Sequence, residues 1–130
     1  MPEFYPEHTP SGLDEFTQGY LNAAEWLLDE EIDRSEVHGW SNDAILHAKG
    51  ECEQFQRENA AELARYYEVT GRDESDAGHD FWLTRNRHGA GFWGRESDPV
   101  NDPCLDALTE QSHAYGEIDT YLYRGLIRFV

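Results

Sequence analysis

The sequence predicts an α+β fold in one domain that spans residues 1–130. Apolar residues recur at helical spacing over residues 1–71, which also hold most of the acidic residues. Over residues 77–130, short runs of aromatic and β-branched residues alternate with turn residues. We therefore expect an acidic helical part with two helices, and then a hairpin–helix–hairpin part whose two hairpins form a small antiparallel sheet. Four Trp, seven Tyr and six Phe supply the core.

The first helix is predicted to begin after Ser11, which can cap it, with Asp14 in its first turn. Its buried stripe is expected to comprise Leu13, Phe16, Tyr20, Ala23, Ala24 and Leu27. The sequence after this helix, DEEIDRSEVHGWS, indicates a loop. Because carboxylates near a helix C-terminus oppose its dipole, Asp29, Glu30 and Glu31 should cost local stability, which suggests that they serve a purpose other than folding.

The second predicted helix begins at the capping residue Ser41 and ends near Thr70 and Gly71. Gly50 lies within it and is expected to kink or split it. The buried face is predicted to comprise residues three or four positions apart, namely Ile45, Ala48, Cys52, Phe55, Asn59, Leu63 and Tyr66.

Two further segments are predicted to form the sheet. HDFWLTR (79–85) and GAGFWGR (89–95) favour short strands joined by a turn at residues 86–89. Asp102 and Pro103 then predict the start of a third helix that ends near Gly116. The closing residues IDTYLY and LIRFV, with Arg124 and Gly125 between them, predict the second hairpin.

The charge of the chain is strongly negative and unevenly distributed. The net charge is −17, and residues 1–33 hold nine acidic residues and no Lys or Arg. Residues 78–95 hold three Arg and a single acidic residue, Asp80. This pattern predicts a molecule with one strongly negative end, which repels nucleic acid and anionic membranes and favours basic partners.

No apolar run approaches the length of a membrane span, and the first ten residues lack the pattern of a signal peptide. Cys52 and Cys104 are far apart and belong to no CxxC pair. We therefore expect a cytosolic protein, not bound to membranes, with two reduced thiols. The sequence is compatible with either a monomer or an oligomer.

The aromatic segment around residues 77–95 raises the question of chemistry. His79, Asp80 and His88 could bind Zn²⁺ or Mn²⁺, but three such residues without an HExxH or CxxC motif are a weak signal. Arginines beside Trp82 and Trp93 could stack on bases, but the net charge opposes phosphate binding. No nucleophile elbow or phosphate-binding loop is present. The sequence therefore predicts a protein that is not an enzyme, with no metal, no cofactor and no direct nucleic-acid binding.

The stretch GHDFWLTRNRHGAGFW (78–93) resembles a motif of a family of small acidic proteins encoded by bacteriophages. The segments 13–26, 51–63 and 107–122 are similar to the family's opening, second and closing elements. Gly94 departs from the Asp that often follows this motif in the family. The resemblance implies a phage source, action in the host bacterial cytoplasm and no catalytic residues. The motif residues, for which we expect a mainly structural role, are His79, Asp80, Phe81, Trp82, Arg85, Asn86, His88, Gly89, Gly91, Phe92 and Trp93.

A small acidic phage protein without enzyme motifs is suited to blocking a host protein that binds nucleic acid. Carboxylates four residues apart on a helix lie about 6 Å apart, so that they can occupy a groove built for phosphates. Restriction enzymes and CRISPR effectors have such basic grooves. The expected partner-binding residues are Asp14, Glu15, Glu25, Asp29, Glu30, Glu31, Asp33 and Glu36. Two alternatives stay open, a small metal-dependent enzyme that uses His79, Asp80 and His88, and an accessory binding protein whose acidity serves only solubility.

Overall fold

A computed structural model describes residues 8–89, 91–92 and 102–130 of the chain. Its described residues form an α+β fold with five α-helices and one three-stranded mixed sheet. The helices are α1 (Glu15–Trp26), α2 (Asn42–Glu58), α3 (Ala60–Thr70), α4 (Glu74–Arg85) and α5 (Pro103–Ala114). The strands are β1 (Gly39–Trp40), β2 (Thr120–Tyr123) and β3 (Leu126–Phe129), and a 3-10 turn (Arg34–Glu36) precedes β1.

Several helix ends agree with the caps read from the sequence. Ser41 accepts a hydrogen bond from the Ala44 N–H at 3.1 Å at the start of α2. Gly71 ends α3 in the left-handed conformation, with φ of 72°. Asp102 caps α5 through the Cys104 N–H at 3.0 Å, with Pro103 as its first residue.

Two helix boundaries differ from the prediction. Asp14 rather than Ser11 caps α1, because its carboxylate accepts the Thr17 N–H at 2.8 Å. The second predicted helix divides into α2 and α3 at Asn59 and not at Gly50. Asn59 is buried, and its side-chain amide donates to the carbonyl of Phe55 at 3.0 Å, which ends α2.

The prediction of a first hairpin is wrong, because residues 79–85 lie in α4. Asp73 and Asp76 form a capping box that starts this helix. From Ala77 to Arg85 every residue except the half-buried His79 is buried. The helix therefore has no polar face, and its sequence lacks the alternation of apolar and polar residues every 3.6 positions that indicates a surface helix. Gly89 and residues 91–92 form bends, and the remainder of the second predicted strand, residues 90 and 93–95, lies outside the described residues.

The sheet contains the predicted closing hairpin and one strand that the sequence did not predict. Strands β2 and β3 pair antiparallel, from Thr120 opposite Phe129 to Tyr123 opposite Leu126. The two-residue strand β1 pairs in parallel with β3, so that the strand order is β1-β3-β2. The mixed sheet therefore replaces the predicted antiparallel sheet of two hairpins.

Helices α1 and α4 make the closest packing contact in the fold. Gly19 lies against the backbone of Ser75, and Gly78 lies against the carbonyl of Phe16. A Cβ atom at either glycine would overlap these backbone atoms, so that only glycine permits this separation. The aromatic motif is thereby brought to the centre of the core, where the Phe81 ring stacks on Phe55 at 4.1 Å.

Candidate functional site

The proposed partner-binding carboxylates divide into groups at the two ends of α1. Asp14 and Glu15 lie at the start of the helix and are exposed. Beyond its last residue, Trp26, the exposed acidic residues form a second group, which comprises Asp29, Glu30, Glu31, Asp33 and Glu36. A helix of 12 residues is about 18 Å long, so the two groups do not form one cluster.

Acidic residues of α4 join the group at the start of α1. The pKa of the half-buried Tyr67 is raised by burial and by the nearby carboxylates of Glu74, Asp73 and Asp14. The close contact between Gly19 and Ser75 also joins the N-terminal halves of the two helices. We call this surface the α1/α4 acidic face, and its exposed members are Asp14, Glu15, Asp73, Glu74 and Asp76. Asp73, Glu74 and Asp76 were not among the residues predicted to bind a partner, although the Asp73–Asp76 spacing is that of a capping box.

The Asp14 carboxylate has two structural bonds that keep it charged. Burial raises its pKa, but hydrogen bonds from Thr17 and Gln56 outweigh this effect, and the pKa lies below its ordinary value. The Gln56 amide donates to the second carboxylate oxygen at 3.2 Å. Asp14 therefore links the start of α1 to α2 and presents a fixed negative charge.

We call the second group, in residues 29–36, the acidic loop, and hydrogen bonds of its own residues hold it in place. The Asp29 carboxylate accepts the Glu31 N–H at 2.8 Å. Asp33 accepts from the N–H of Ser35 at 2.9 Å and from its hydroxyl at 2.7 Å. These bonds lower the pKa of Asp33. Two of the five carboxylates thus order the loop that carries the other three.

Arg34 offsets the unfavourable interaction between these carboxylates and the negative end of the α1 helix dipole. Its guanidinium donates to the carbonyls of Glu25, Trp26 and Leu28 at 3.0, 3.3 and 3.2 Å. A cation on the last carbonyls of a helix satisfies both their hydrogen-bonding needs and the negative end of the dipole. Arg34 is the only Lys or Arg among residues 1–48, a sequence signal for this role that the analysis did not use.

Glu25 does not belong to either exposed group. Its side chain is buried, and one carboxylate oxygen lies 2.8 Å from Nδ1 of His8. The sequence predicted Glu25 as a partner-binding residue, which requires an exposed side chain, and this prediction is not supported by its burial. The contact with His8 joins Glu25 to the segment before α1.

The prediction of a single negative end is not what the structure describes. Exposed acidic residues lie on all five helices, and the charge of the molecule is spread over much of its described surface. Outside the acidic loop and the α1/α4 acidic face they are Asp43, Glu53, Glu58, Glu68, Asp106, Glu110, Glu117 and Asp119. What distinguishes the acidic loop is its density of carboxylates and its hydrogen-bonded backbone.

The aromatic motif lies mainly in the core. Phe81 and Phe92 are buried, and the Trp82 ring packs edge-on against Tyr20 at 5.2 Å. Gly91 allows the chain to pass so close to Thr84 that a Cβ atom would overlap the hydroxyl, and that hydroxyl accepts the Phe92 N–H at 3.0 Å. Gly89 has φ of 67° and His88 is exposed, whereas Trp93 lies outside the described residues.

Arg85 joins four elements of the fold at the centre of this motif. Its guanidinium donates to the Tyr20 hydroxyl at 3.0 Å and to the Glu51 carboxylate. It also donates to the carbonyls of Tyr115 and Gly116, at 3.0 and 2.9 Å. Arg85 is only 3 % exposed, and its pKa is raised because Tyr20 and Glu51 outweigh the effect of burial. The Arg is thus a structural cation, in a place where a partner could not reach it.

The hypothetical metal ligands do not come together. Asp80 is buried and accepts the Tyr66 hydroxyl at 2.6 Å. His79 is one residue away on α4, and its ring lies 6.5 Å from that of Trp26, whereas His88 follows the helix and is exposed. Among the described residues, no three His, Cys, Asp or Glu side chains form a group that could hold a metal ion.

Both cysteines are free and buried. Burial raises the pKa of Cys52, and burial together with Asp102 raises the pKa of Cys104 to about 12. A thiol with a raised pKa forms little of the reactive thiolate at neutral pH. Neither group is set up as a nucleophile.

A cleft of about 460 Å³ lies where the ends of α1 and α4 meet the closing hairpin. We call it the C-terminal cleft, and its described lining comprises Leu27, Trp82, Asn86, His88, Glu117, Ile118, Asp119, Thr120 and Val130. Three motif residues thus reach a concave surface. The sequence analysis did not single out Glu117 or Asp119, because only tertiary folding brings them beside α4.

Neither a protein-family model nor a curated protein nor a solved structure matches this chain. In the described part of the chain, no helix has both the length and the apolar character needed to cross a membrane. Function is therefore inferred from the geometry and charge of the described side chains.

Proposed function

We propose that the protein is a phage-encoded counter-defence inhibitor that mimics DNA. Its exposed carboxylates would occupy the basic, nucleic-acid-binding groove of a host protein such as a restriction enzyme or a CRISPR effector, and it would act in the bacterial cytoplasm. Two sequence features support this proposal, the net charge of −17 and the resemblance of residues 78–93 to small acidic phage proteins. Electrostatic attraction speeds the association of a highly negative protein with a basic groove, and salt reduces this association rate.

The observation that carries the proposal is the ordered acidic loop. Its five carboxylates are exposed within eight residues, and Arg34, Asp29 and Asp33 hold its backbone. A disordered acidic tail would lose conformational entropy when it binds, whereas an ordered loop has already lost it. The acidic loop therefore presents phosphate-like charges in a fixed arrangement.

The α1/α4 acidic face extends this surface to the other end of α1. The helix between the two groups is about 18 Å long, which corresponds to roughly five steps of 3.4 Å along one DNA strand. A groove that binds a short duplex could contact both acidic groups when they face the same partner. Hydrogen bonds to Asp14 and Asp33 lower the pKa of both carboxylates, so that their charges persist to more acidic pH than those of ordinary Asp residues.

A plating assay tests the proposal. The protein is expressed in bacterial strains that each carry one restriction or CRISPR system, and each strain is challenged with a phage that the system blocks. We expect plating to rise in at least one strain. In that strain, Glu30→Gln with Glu31→Gln should reduce the effect, because both substitutions remove charge from the acidic loop without touching its hydrogen-bonded carboxylates.

The matched control is Glu53→Gln with Glu110→Gln. Both residues are exposed on helices, outside the acidic loop and the α1/α4 acidic face, and the pair changes the net charge by the same amount. It should preserve the effect on plating. No rise in plating in any strain, or an equal loss with both pairs of substitutions, would contradict the proposal.

One observation favours a second candidate function. Exposed acidic residues on all five helices are also the surface expected of an accessory binding protein whose charge serves solubility. In that case the unaltered protein should raise plating in no strain, and Glu30→Gln with Glu31→Gln should lower solubility as much as Glu53→Gln with Glu110→Gln does. The two measurements separate the candidates.

A further inference from the structure

The C-terminal cleft is a concave surface separate from the acidic loop and the α1/α4 acidic face, and direct hydrogen bonds hold its walls. The Asn86 side chain donates to the Trp82 carbonyl at 3.0 Å and accepts the Ile118 N–H at 2.9 Å. The Val130 N–H donates to the Asp119 carbonyl at 3.0 Å. The end of α4 and the strand that closes the chain are thereby fixed to the segment between them. A volume of about 460 Å³ is within the range of small-ligand sites.

The charge of this cleft selects cations. Glu117 and Asp119 are exposed and line it, and the described lining holds no Lys or Arg. The Asp119 carboxylate accepts the Thr120 N–H at 2.8 Å, which fixes its orientation but leaves an oxygen for a ligand. An anion would meet these two carboxylates and the negative field of the whole chain.

The apolar part of the cleft favours a cation with a flat, weakly hydrated head. Trp82, Leu27 and Ile118 supply apolar lining to the cleft, and Trp82 is almost fully buried. The indole is held in position by Tyr20 and by Phe129, whose ring lies 5.8 Å from it. Indole rings attract cations, and guanidinium groups make this contact more readily than ammonium groups because they are planar and less strongly hydrated.

We propose that the C-terminal cleft binds an arginine side chain of a basic partner protein. The aliphatic stem would lie against Leu27 and Ile118, and the guanidinium would bind Glu117 and Asp119 beside the Trp82 ring. The proposed function supplies only the class of partner, since a nucleic-acid-binding groove is rich in arginine. The binding site itself is argued from the cleft and is separate from the acidic loop.

A titration followed by two-dimensional ¹⁵N–¹H NMR tests this site without any knowledge of the partner. The probe is Nα-acetyl-L-arginine amide, which carries no charge on its termini. We expect concentration-dependent shifts of the Trp82 indole N–H and of the Ile118 and Thr120 amides, with a Kd of about 1 mM for a ligand of this size. The same analogue of citrulline has nearly the same shape without the charge and should bind about tenfold more weakly or not at all.

Matched variants then locate the site. Glu117→Gln with Asp119→Asn should weaken arginine binding about tenfold, since the Asn carbonyl can still accept the Thr120 N–H and preserve the fold. Glu53→Gln with Glu110→Gln removes the same charge elsewhere and should leave the Kd unchanged. Circular dichroism of both pairs would verify that the thermal transition is retained.

Four results would overturn the proposal. These are the absence of shifts around the cleft, equal binding of the citrulline analogue, equal binding of Nα-acetyl-lysine amide, and equal weakening by the control pair. Equal weakening by the control pair would show that the net charge attracts the arginine analogue without a specific site. The outcome is distinguishable from failure of the proposed function, because a negative plating assay leaves the NMR titration unaffected, and a negative titration leaves the role of the acidic loop intact.

Discussion

Replacement of Arg85 by Met should lower the free energy of unfolding by about 3–5 kcal/mol, the range for removal of one partner from a buried ion pair. The guanidinium is 3 % exposed and donates four hydrogen bonds that join α4 to α1, α2 and the end of α5. Met has a similar length and fills most of the space of the aliphatic stem. The substitution therefore removes the charge and its hydrogen bonds rather than the packing.

The magnitude follows from the groups that lose their donor. The fully buried Tyr20 hydroxyl costs about 1–3 kcal/mol if it is left without a partner, whereas water can partly rehydrate the carbonyls of the half-buried Tyr115 and the exposed Gly116. The guanidinium also lies 5.7 Å from the ring centres of both Phe81 and Tyr115, contacts worth about 0.5–2 kcal/mol. The Glu51 side chain is 25 % exposed, so water can rehydrate its carboxylate and offset part of the loss.

Arg65 provides the matched control, because it makes a comparable set of bonds at the surface. Its guanidinium donates to Glu68 and to the carboxylate of Asp102, but its side chain is 53 % exposed. Exposed ion pairs contribute about 0–1 kcal/mol. Arg65→Met should therefore cost less than about 1 kcal/mol.

Urea unfolding followed by circular dichroism measures both variants, with equal slopes required for the comparison. If Arg85→Met and Arg65→Met cost the same, burial does not determine the contribution of Arg85 and the reasoning fails. The double variant Arg85→Met with Glu51→Met extends the test. It should recover part of the loss, because the pair is then replaced by apolar side chains on both sides.

Three further predictions follow from single residues. Gly78→Ala should destabilise the protein by more than about 2 kcal/mol, because the new Cβ atom would overlap the α1 backbone. Gly50 has open space around it, so Gly50→Ala should instead stabilise α2 by about 0.5–1 kcal/mol. Urea unfolding measures both variants, and equal effects would contradict the close α1–α4 packing. The lowered pKa of Asp14 contributes to the free energy of unfolding above the unfolded pKa near 3.8, and this contribution is lost as pH falls through the lower folded pKa. The free energy of unfolding of Asp14→Asn should therefore fall less steeply in acid than that of the unaltered protein. Identical dependence on pH in the two proteins would contradict this. Cys52 and Cys104 should react with a thiol reagent at pH 8 only after unfolding in urea, and rapid reaction of the native protein would contradict their burial and raised pKa values.

Local sequence signals predicted the elements that depend on a few neighbouring residues. The caps at Ser41 and Asp102, the stop at Gly71 and the turn at Gly125 each place a helix end or a hairpin through contacts within a few positions. The α+β class followed from these signals and is confirmed. The phage origin, the inhibitory function and the partner stay predictions.

The misreading of α4 has a different cause. Periodicity reveals a helix when one side faces water, but residues 77–85 are covered almost all round, by α1 through Gly19 and Gly78 and by α5. An aromatic, β-favouring composition then resembles a strand. Strand β1 was missed for a related reason, because two residues carry no period and pair only with a strand more than 80 residues away.

The sequence by itself determined the net charge, the supply of aromatic side chains and several helix ends, since these depend on composition or on neighbours along the chain. Tertiary structure decided which carboxylates are buried and which lie together at the surface. It buried Glu25 and Asp80, brought Asp73 and Glu74 beside Asp14, and set Glu117 and Asp119 around Trp82. The physical reason is that the energy of a charge depends on its exposure and on the groups beside it in space, and those are fixed only when distant segments pack together.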